Sequence, residues 1–301
     1  RVSALRTFGE WRAKLALELG AEPSELLGGL AIRLQQSVID RKTPVPELLN
    51  PDQTPKPRRF VGRSAEYRAI FEAWEDTTQL NTRHVLITGE SGIGKTTLAQ
   101  RFATSATLEG AAVAQVQCFE MEQRIAYGTI AALVTTILDR PGAIGTAPES
   151  LAELARVVPQ VRERFKHLPQ VRLADGEAAK LRFAEAVGAF FESIMVEQPL
   201  VLIVDDYPRA DEASLGVLHK LLRRSGIERL MLVLTAGPPE PNESAAAIRI
   251  RTGIANLPLR WIDLSPLSEA ESEEVLRSLL EGRGKAPGPP VRRAIVRAGS
   301  G

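Results

Sequence analysis

From residue 60 onward, short apolar runs alternate with stretches in which apolar residues recur every three or four positions. The runs are His84-Val85-Leu86-Ile87-Thr88, Ala111 to Cys118, Pro199 to Val204, Leu230-Met231-Leu232-Val233-Leu234-Thr235 and Leu259 to Leu264. The continuous runs 199–204 and 230–235 fit parallel strands buried on both faces, and the pattern as a whole predicts strands over 83–88, 111–118, 200–205, 230–235 and 259–264. Between them the helical period predicts helices over 64–80, 95–107, 127–139 and 176–196, and another through Leu215, Leu218, Leu221 and Leu222. Ser268-x-x-Glu271 is a capping box opening a helix with Val275, Leu276, Leu279 and Leu280, which Gly282 closes. The stretch 141–175 reads as helical with loops. No internal repeat is visible. Alternation of this kind defines an α/β fold, a parallel sheet with helices on both faces.

The first 38 residues differ. Leu5, Phe8, Trp11, Leu15 and Leu19 form one helical face, Gly20 interrupts it, and Leu26, Leu27, Leu30 and Leu34 form the next. This is a helical hairpin that needs neighbours to bury its apolar sides. Pro44, Pro46, Pro51, Pro55 and Pro57 make 39–59 an extended, proline-rich linker. Lys56, Arg58 and Arg59 read as its solvated end. The expected organisation is a helical segment at 1–38, the linker at 39–59, an α/β core at 60–265, and the start of a helical lid at 266–301.

Composition narrows the function classes. The 301 residues carry a formal charge of +1, which gives no global reason for this segment to bind nucleic acid. The single cysteine, Cys118, excludes an internal disulfide framework and fits a reducing cytosol. Its place in the alternating run 111–118 predicts a buried structural thiol. No run of about 18 apolar residues is present to span a membrane, and no secretory leader is visible. With Arg1 first and Gly299-Ser300-Gly301 last, the sequence reads as a piece of a longer protein.

Candidate chemistry lies at the end of the first strand. Gly89-Glu90-Ser91-Gly92-Ile93-Gly94-Lys95-Thr96-Thr97 is G-x-x-x-x-G-K-T between a predicted strand and a predicted helix, the spacing of a phosphate-binding loop. Gly89, Gly92 and Gly94 let the backbone wrap so that N–H groups point at phosphate oxygens, with those of Ile93, Lys95, Thr96 and Thr97 at the helix start. Lys95 can reach the terminal phosphates, and the Thr96 hydroxyl can ligate Mg²⁺. The run 199–204 ends in Asp205-Asp206, at the sheet edge where α/β folds bind ligands. Asp205 is the expected metal-side carboxylate, and Asp206 is placed to orient or deprotonate an attacking water. ATP or ADP with Mg²⁺ is the expected cofactor.

Phe60-Val61-Gly62-Arg63, the loop at 89–97 and Val204-Asp205-Asp206-Tyr207-Pro208-Arg209-Ala210-Asp211 together resemble the signal-transduction ATPases with numerous domains, a branch of the AAA+-like P-loop proteins. The resemblance runs from about 60 to 301 and implies adenine-side contacts at Val61, Gly62 and Arg63. Residues 4–34 resemble the tail of a bacterial transcriptional activator domain. Together they imply an antibiotic-regulatory-type transcriptional regulator whose DNA-binding and sensor domains are the attached partners, with DNA reached only through the DNA-binding domain. Three positions depart from the pattern: Ser64 stands where the family often has Glu, Asp206 where it often has Glu, and no Arg follows Thr235. These departures imply slow hydrolysis and the possibility of a neighbour's arginine, Arg223 or Arg224, acting on nucleotide-dependent self-association. Two alternatives stay open at this point, a AAA+ motor or loader acting on DNA and a non-hydrolysing scaffold stabilised by nucleotide.

Overall fold

A computed structural model describes residues 62–78, 84–171, 176–223, 229–252 and 259–280. The helical pair expected over 1–38, the linker at 39–59, Val61, Arg224 and the end of the lid segment, 281–301, lie outside the described residues. The chain divides into two compact units, one of 1–56 with 144–146 and one of 57–143 with 147–301. The second unit contains the whole sheet.

Five strands form one parallel sheet: β1 (His84–Gly89), β2 (Ala112–Gln117), β3 (Leu200–Asp205), β4 (Leu230–Ala236) and β5 (Leu259–Leu264). Their order across the sheet is β2-β3-β4-β1-β5. Ile87 pairs with Thr235, Gly89 with Leu264 and Gln117 with Asp205. The order matters for function, because β4 lies between β1 and β3. The end of β4 therefore stands between the loop leaving β1 and the carboxylates leaving β3.

α1 (Ser64–Thr78) precedes β1, and α2 (Lys95–Leu108) joins it to β2. Alternate strand residues Val85, Ile87, Val201, Ile203, Met231 and Val233 pack on Ile70 and Trp74 of α1 and on Leu98 and Phe102 of α2. Each such fully buried side chain contributes about 1.5–3 kcal/mol. Trp74 meets Phe102 edge-on at 6.1 Å and donates its indole N–H to Glu109 Oε2 at 2.6 Å, which satisfies its polar atom. The opposite-facing Leu86, Leu202, Val204, Leu232 and Leu234 are also wholly buried. Both faces are dry on β1, β3 and β4, so those strands read as unbroken apolar runs, while the edge strands β2 and β5 are partly exposed.

α3 (Gly128–Ile137) packs on β2, and α6 (Gly176–Glu197) on β3. Between them lie α4 (Pro148–Leu154) and α5 (Pro159–Arg164), each starting with proline in its first turn, where the missing N–H costs nothing. α7 (Glu212–Arg223) follows β3, and α9 (Glu269–Leu280) follows β5. The capping box of α9 forms as its sequence predicts: the Ser268 N–H donates to Glu271 Oε2 at 2.9 Å and the Glu271 N–H to Ser268 Oγ at 3.3 Å. α8 (Ala245–Thr252), capped through the Ala247 N–H to Ser244 Oγ at 3.2 Å, is not expected from the apolar pattern. Its short Ala-rich turn carries too little periodicity to register. Cys118 is buried beside Thr129, and burial pushes its thiol up to about 12. No described helix is long and apolar enough to cross a membrane.

Candidate nucleotide site

The loop leaving β1 is shaped by three glycines in the left-handed half of backbone space. Gly89 has φ +146°, and a Cβ there would sit 2.8 Å from the Leu264 carbonyl and 3.0 Å from Ile93 Cγ2. Only glycine lets β1 turn that close to β5. Gly92 (φ +78°) and Gly94 (φ +106°) are different, since nothing lies within 4 Å of where a Cβ would stand. Open space over backbone N–H groups at a helix start is what a phosphate needs.

Lys95 opens α2 and is 8% exposed. Its Nζ donates to the Gly89 and Glu90 carbonyls, each at 2.8 Å, so the ammonium spans the concave side of the loop. Thr96 donates from Oγ1 to Asp205 Oδ2 at 2.7 Å. Thr97 is exposed on the cleft wall. The Ile93 side chain rests partly buried on the core, and its carbonyl accepts from Arg63 Nη2 at 3.3 Å.

Gly62 and Arg63 sit between the loop and α9. A Cβ at Gly62, whose φ is +75°, would stand 3.2 Å from Leu267 Cδ2 and 3.6 Å from Glu271 Oε1. Arg63 also pairs with Glu66 at 3.0 Å. Val61 lies outside the described residues.

Asp205 and Asp206 stand across the cleft, joined by a residue that sequence reading noted only for the arginine missing after it. Thr235, at the end of β4, donates to Asp205 Oδ1 at 2.5 Å and accepts from the Asp206 N–H at 2.8 Å. One buried hydroxyl thus holds both carboxylate residues, and Asp205 is 1% exposed. Asp206 is in the left-handed conformation (φ 53°), with its side chain half-buried in the cleft wall. Burial raises its pKa, and the neighbouring Asp205 raises it further. A carboxylate placed this way is a base with more proton affinity than an exposed aspartate has.

The cleft has a volume of about 520 Å³. Its lining holds Glu90, Glu120, Asp206, Glu240 and Glu243 against Lys95 and Arg209, and Glu243 is paired with Arg251 behind the wall. Arg209 itself pairs with Glu240 at 3.5 Å. A polyphosphate entering five carboxylates and two cations needs added positive charge. Among the described residues no group of three or more His, Cys, Asp or Glu side chains forms a metal cage. Thr96 and Asp205 instead supply hard oxygen donors of the kind Mg²⁺ takes alongside phosphate oxygens and water. The residues fit the ion.

Two further residues, Arg251 and Asp211, were given no role by sequence reading. Arg251 of α8 brings Nη1 to the Gly237 carbonyl at 3.2 Å while gripping Glu243 through Nε and Nη2. An arginine from α8, neutralised by its carboxylate, thus lies behind the chain that follows Thr235. Asp211 is 2% exposed and accepts from the N–H groups of Tyr127, Thr129 and Ser214, which caps α3 and α7 together. Its position before a helix is the usual capping signal, but the reach to Tyr127 depends on tertiary packing. Arg223 ends α7 near His219, away from the residues lining the cleft.

The AAA ATPase domain family matches residues 59–234, more than half of the chain. The chain belongs to that family, a nucleotide-binding P-loop ATPase domain. No curated protein matches it significantly. Solved structures similar to it include the ORC2 protein of Aeropyrum pernix with ADPNP and ADP, at 18% identity and a TM-score of 0.44, over 77% of this chain and 54% of that one. AMPPCP-bound DnaA of Aquifex aeolicus is similar at 14% identity and 0.47, over 83% and 61%. RuvB of Thermotoga maritima is similar at 14% and 0.41, over 79% and 56%. The chain therefore spans between half and two thirds of the length of these structures.

Proposed function

We propose that this chain is the ATP/ADP-responsive switch module of a multidomain bacterial transcriptional regulator, with slow Mg²⁺-dependent hydrolysis. The observation that carries the nucleotide half is the chain of contacts from Thr96 through Asp205 and Thr235 to Asp206, set opposite Lys95. In this reading the loop N–H groups from Gly92 to Thr97 and Lys95 bind the phosphates, and Gly62 and Arg63, with Val61, contribute to the base side. Thr96 and Asp205 hold Mg²⁺, which would supply charge neutralisation at the phosphates. Asp206 orients the attacking water and takes its proton. Slow turnover is supported by the cations beside the cleft: Arg209 and Arg251 are both paired with carboxylates, and of the cleft-lining cations Lys95 has no carboxylate partner among the described residues.

The regulatory half rests on the resemblance of 4–34 to an activator-domain tail and of 60–301 to switch ATPases. The attached DNA-binding and sensor domains are the proposed partners, and DNA is contacted through the former. Calorimetry tests the site: Lys95→Ala removes a charge-assisted phosphate contact and should weaken ATP binding by about 2–4 kcal/mol. Mobility-shift titrations of the full-length parent with ATP, ADP or neither test the switch. Promoter affinity that ignores nucleotide and Lys95→Ala refutes it, and specific promoter binding by this chain alone favours the loader reading.

A further inference from the structure

Among the described residues, two cations line the nucleotide cleft. Lys95 belongs to the phosphate loop. Arg209 comes from the other wall, at the end of a 3₁₀ turn, Tyr207–Arg209, that leaves β3 directly after Asp206. The turn is a rigid mount. Tyr207 is fully buried, Pro208 fixes its own backbone φ, and the Arg209 N–H donates to the Asp206 carbonyl at 2.9 Å. The Asp206 N–H is itself tied to Thr235, and the Pro208 carbonyl accepts from Gln123 Nε2 at 3.3 Å. The backbone of Arg209 is therefore fixed relative to Asp206, while its side chain, 47% exposed, has room to change partner.

Its partner is a weak one. Arg209 Nη2 lies 3.5 Å from Glu240 Oε1, and the Glu240 side chain is 62% exposed. An ion pair this long and this wet contributes little. Glu240 is held in place by its loop rather than by the arginine. Pro238, Pro239 and Pro241 flank it, and each fixes a backbone dihedral. Arg251 Nη1 donates to the Gly237 carbonyl at 3.2 Å, and the Glu243 N–H donates to the Glu240 carbonyl at 3.1 Å. A fixed carboxylate thus stands at the cleft beside a movable guanidinium. A phosphate group offers that guanidinium two parallel charge-assisted bonds, which are shorter and stronger than the contact with Glu240.

We propose that Arg209 is the residue by which this chain tells ATP from ADP: its guanidinium leaves Glu240 for the outermost phosphate of ATP, and with ADP the Arg209–Glu240 pair stays closed. The proposal rests on the nucleotide reading of the cleft and adds to it the group that reads the third phosphate. The loop N–H groups and Lys95 surround the inner phosphates from one wall. Arg209 enters from the opposite wall, three residues beyond Asp206, which is placed beside the phosphorus that water attacks. An arginine that grips the phosphate of bound ATP stabilises the ground state along with the transition state, so the contact serves recognition without speeding turnover.

Calorimetry of the 301-residue chain tests the proposal, with ADP and with a non-hydrolysable ATP analogue, each with Mg²⁺. The variants are Arg209→Ala, Arg209→Lys, Glu240→Gln and Arg209→Ala with Glu240→Gln. Arg209→Ala should bind the ATP analogue about tenfold more weakly, the loss of a charge-assisted contact, and bind ADP as the parent does. Arg209→Lys should recover part of the loss, because lysine keeps the charge and gives up the planar fork. Glu240→Gln should tighten the ATP analogue by about threefold and leave ADP unchanged. With Arg209 already replaced by Ala, that gain should disappear. Unchanged ADP affinity shows that each variant is folded with its phosphate loop intact. Equal losses for the two nucleotides, no loss in Arg209→Ala, or a Glu240→Gln gain that persists without Arg209 would each overturn the proposal while leaving the nucleotide site standing. A parent that binds neither nucleotide refutes the site itself, and the proposal falls with it.

Discussion

Thr235→Val keeps the shape of a buried side chain and removes one oxygen. That oxygen donates to Asp205 at 2.5 Å and accepts from the Asp206 N–H at 2.8 Å. Thr235 is fully buried and Asp205 is 1% exposed, so water does not replace what valine deletes. A hydrogen bond to a carboxylate is worth about 1.5–3 kcal/mol, and an amide-to-hydroxyl bond about 0.5–1.5 kcal/mol. The variant should therefore lose about 2–4 kcal/mol of stability, measured by urea unfolding of nucleotide-free protein at an unchanged m value. A double-mutant cycle with Asp205→Asn isolates the charged partner: the cost of losing the hydroxyl should shrink in the Asn background by more than about 0.5 kcal/mol. Mg²⁺-dependent ATP affinity should fall as well, because the same hydroxyl holds Asp205, the carboxylate placed to take the ion. A valine variant within about 0.5 kcal/mol of the parent, the scatter of neutral substitutions, would show that this hydroxyl does not hold the two carboxylate residues.

Three other outcomes are expected. Asp206→Asn should leave ATP affinity nearly intact and suppress hydrolysis, because a base acts only in the chemical step; single-turnover assays that find equal rates retire Asp206 from that role. Gly89→Ala should destabilise the fold by about 1–3 kcal/mol, given its backbone conformation and the 2.8 Å approach to Leu264. Gly92→Ala carries the strain of a φ of +78° but meets no neighbour, so it should destabilise less than Gly89→Ala and also lower phosphate affinity, a contrast that unfolding and calorimetry on the pair will show or deny. Buried His84 is held at about 4, with Nδ1 accepting the Leu232 N–H at 3.1 Å. Its folded pKa lies below the unfolded value, so the unfolded chain takes up the proton first. The contribution is full above about pH 6.5 and is lost as pH falls toward 4, a change of roughly 3 kcal/mol. His84→Gln should flatten that slope in acid titrations of stability, and an unchanged slope would remove His84 as its source.

The sheet and its helices were legible because strands covered on both faces need unbroken apolar runs, and amphipathic helices need a period near 3.6. Both are local demands that each segment meets in its own sequence, so β3 falls where the run 200–205 places it, while the edge strand β5 keeps only Ile262 and Leu264 buried. The phosphate loop was legible for the same reason, since its glycines and its Lys95-Thr96 pair act within nine residues of chain. α8 was not, because its few Ala-rich turns carry almost no periodicity and draw their place from packing beside α7. What tertiary structure alone decided is how distant segments meet. The strand order sets β4 between β1 and β3, and so brings Thr235 onto Asp205 and Asp206. The fold of α8 carries Arg251 back to Gly237, and Asp211 finds Tyr127 across more than eighty residues of sequence. Each of these bonds joins polar groups that local sequence leaves without a partner. Burial makes an unpaired group costly, and only the assembled sheet determines which partner lies within reach.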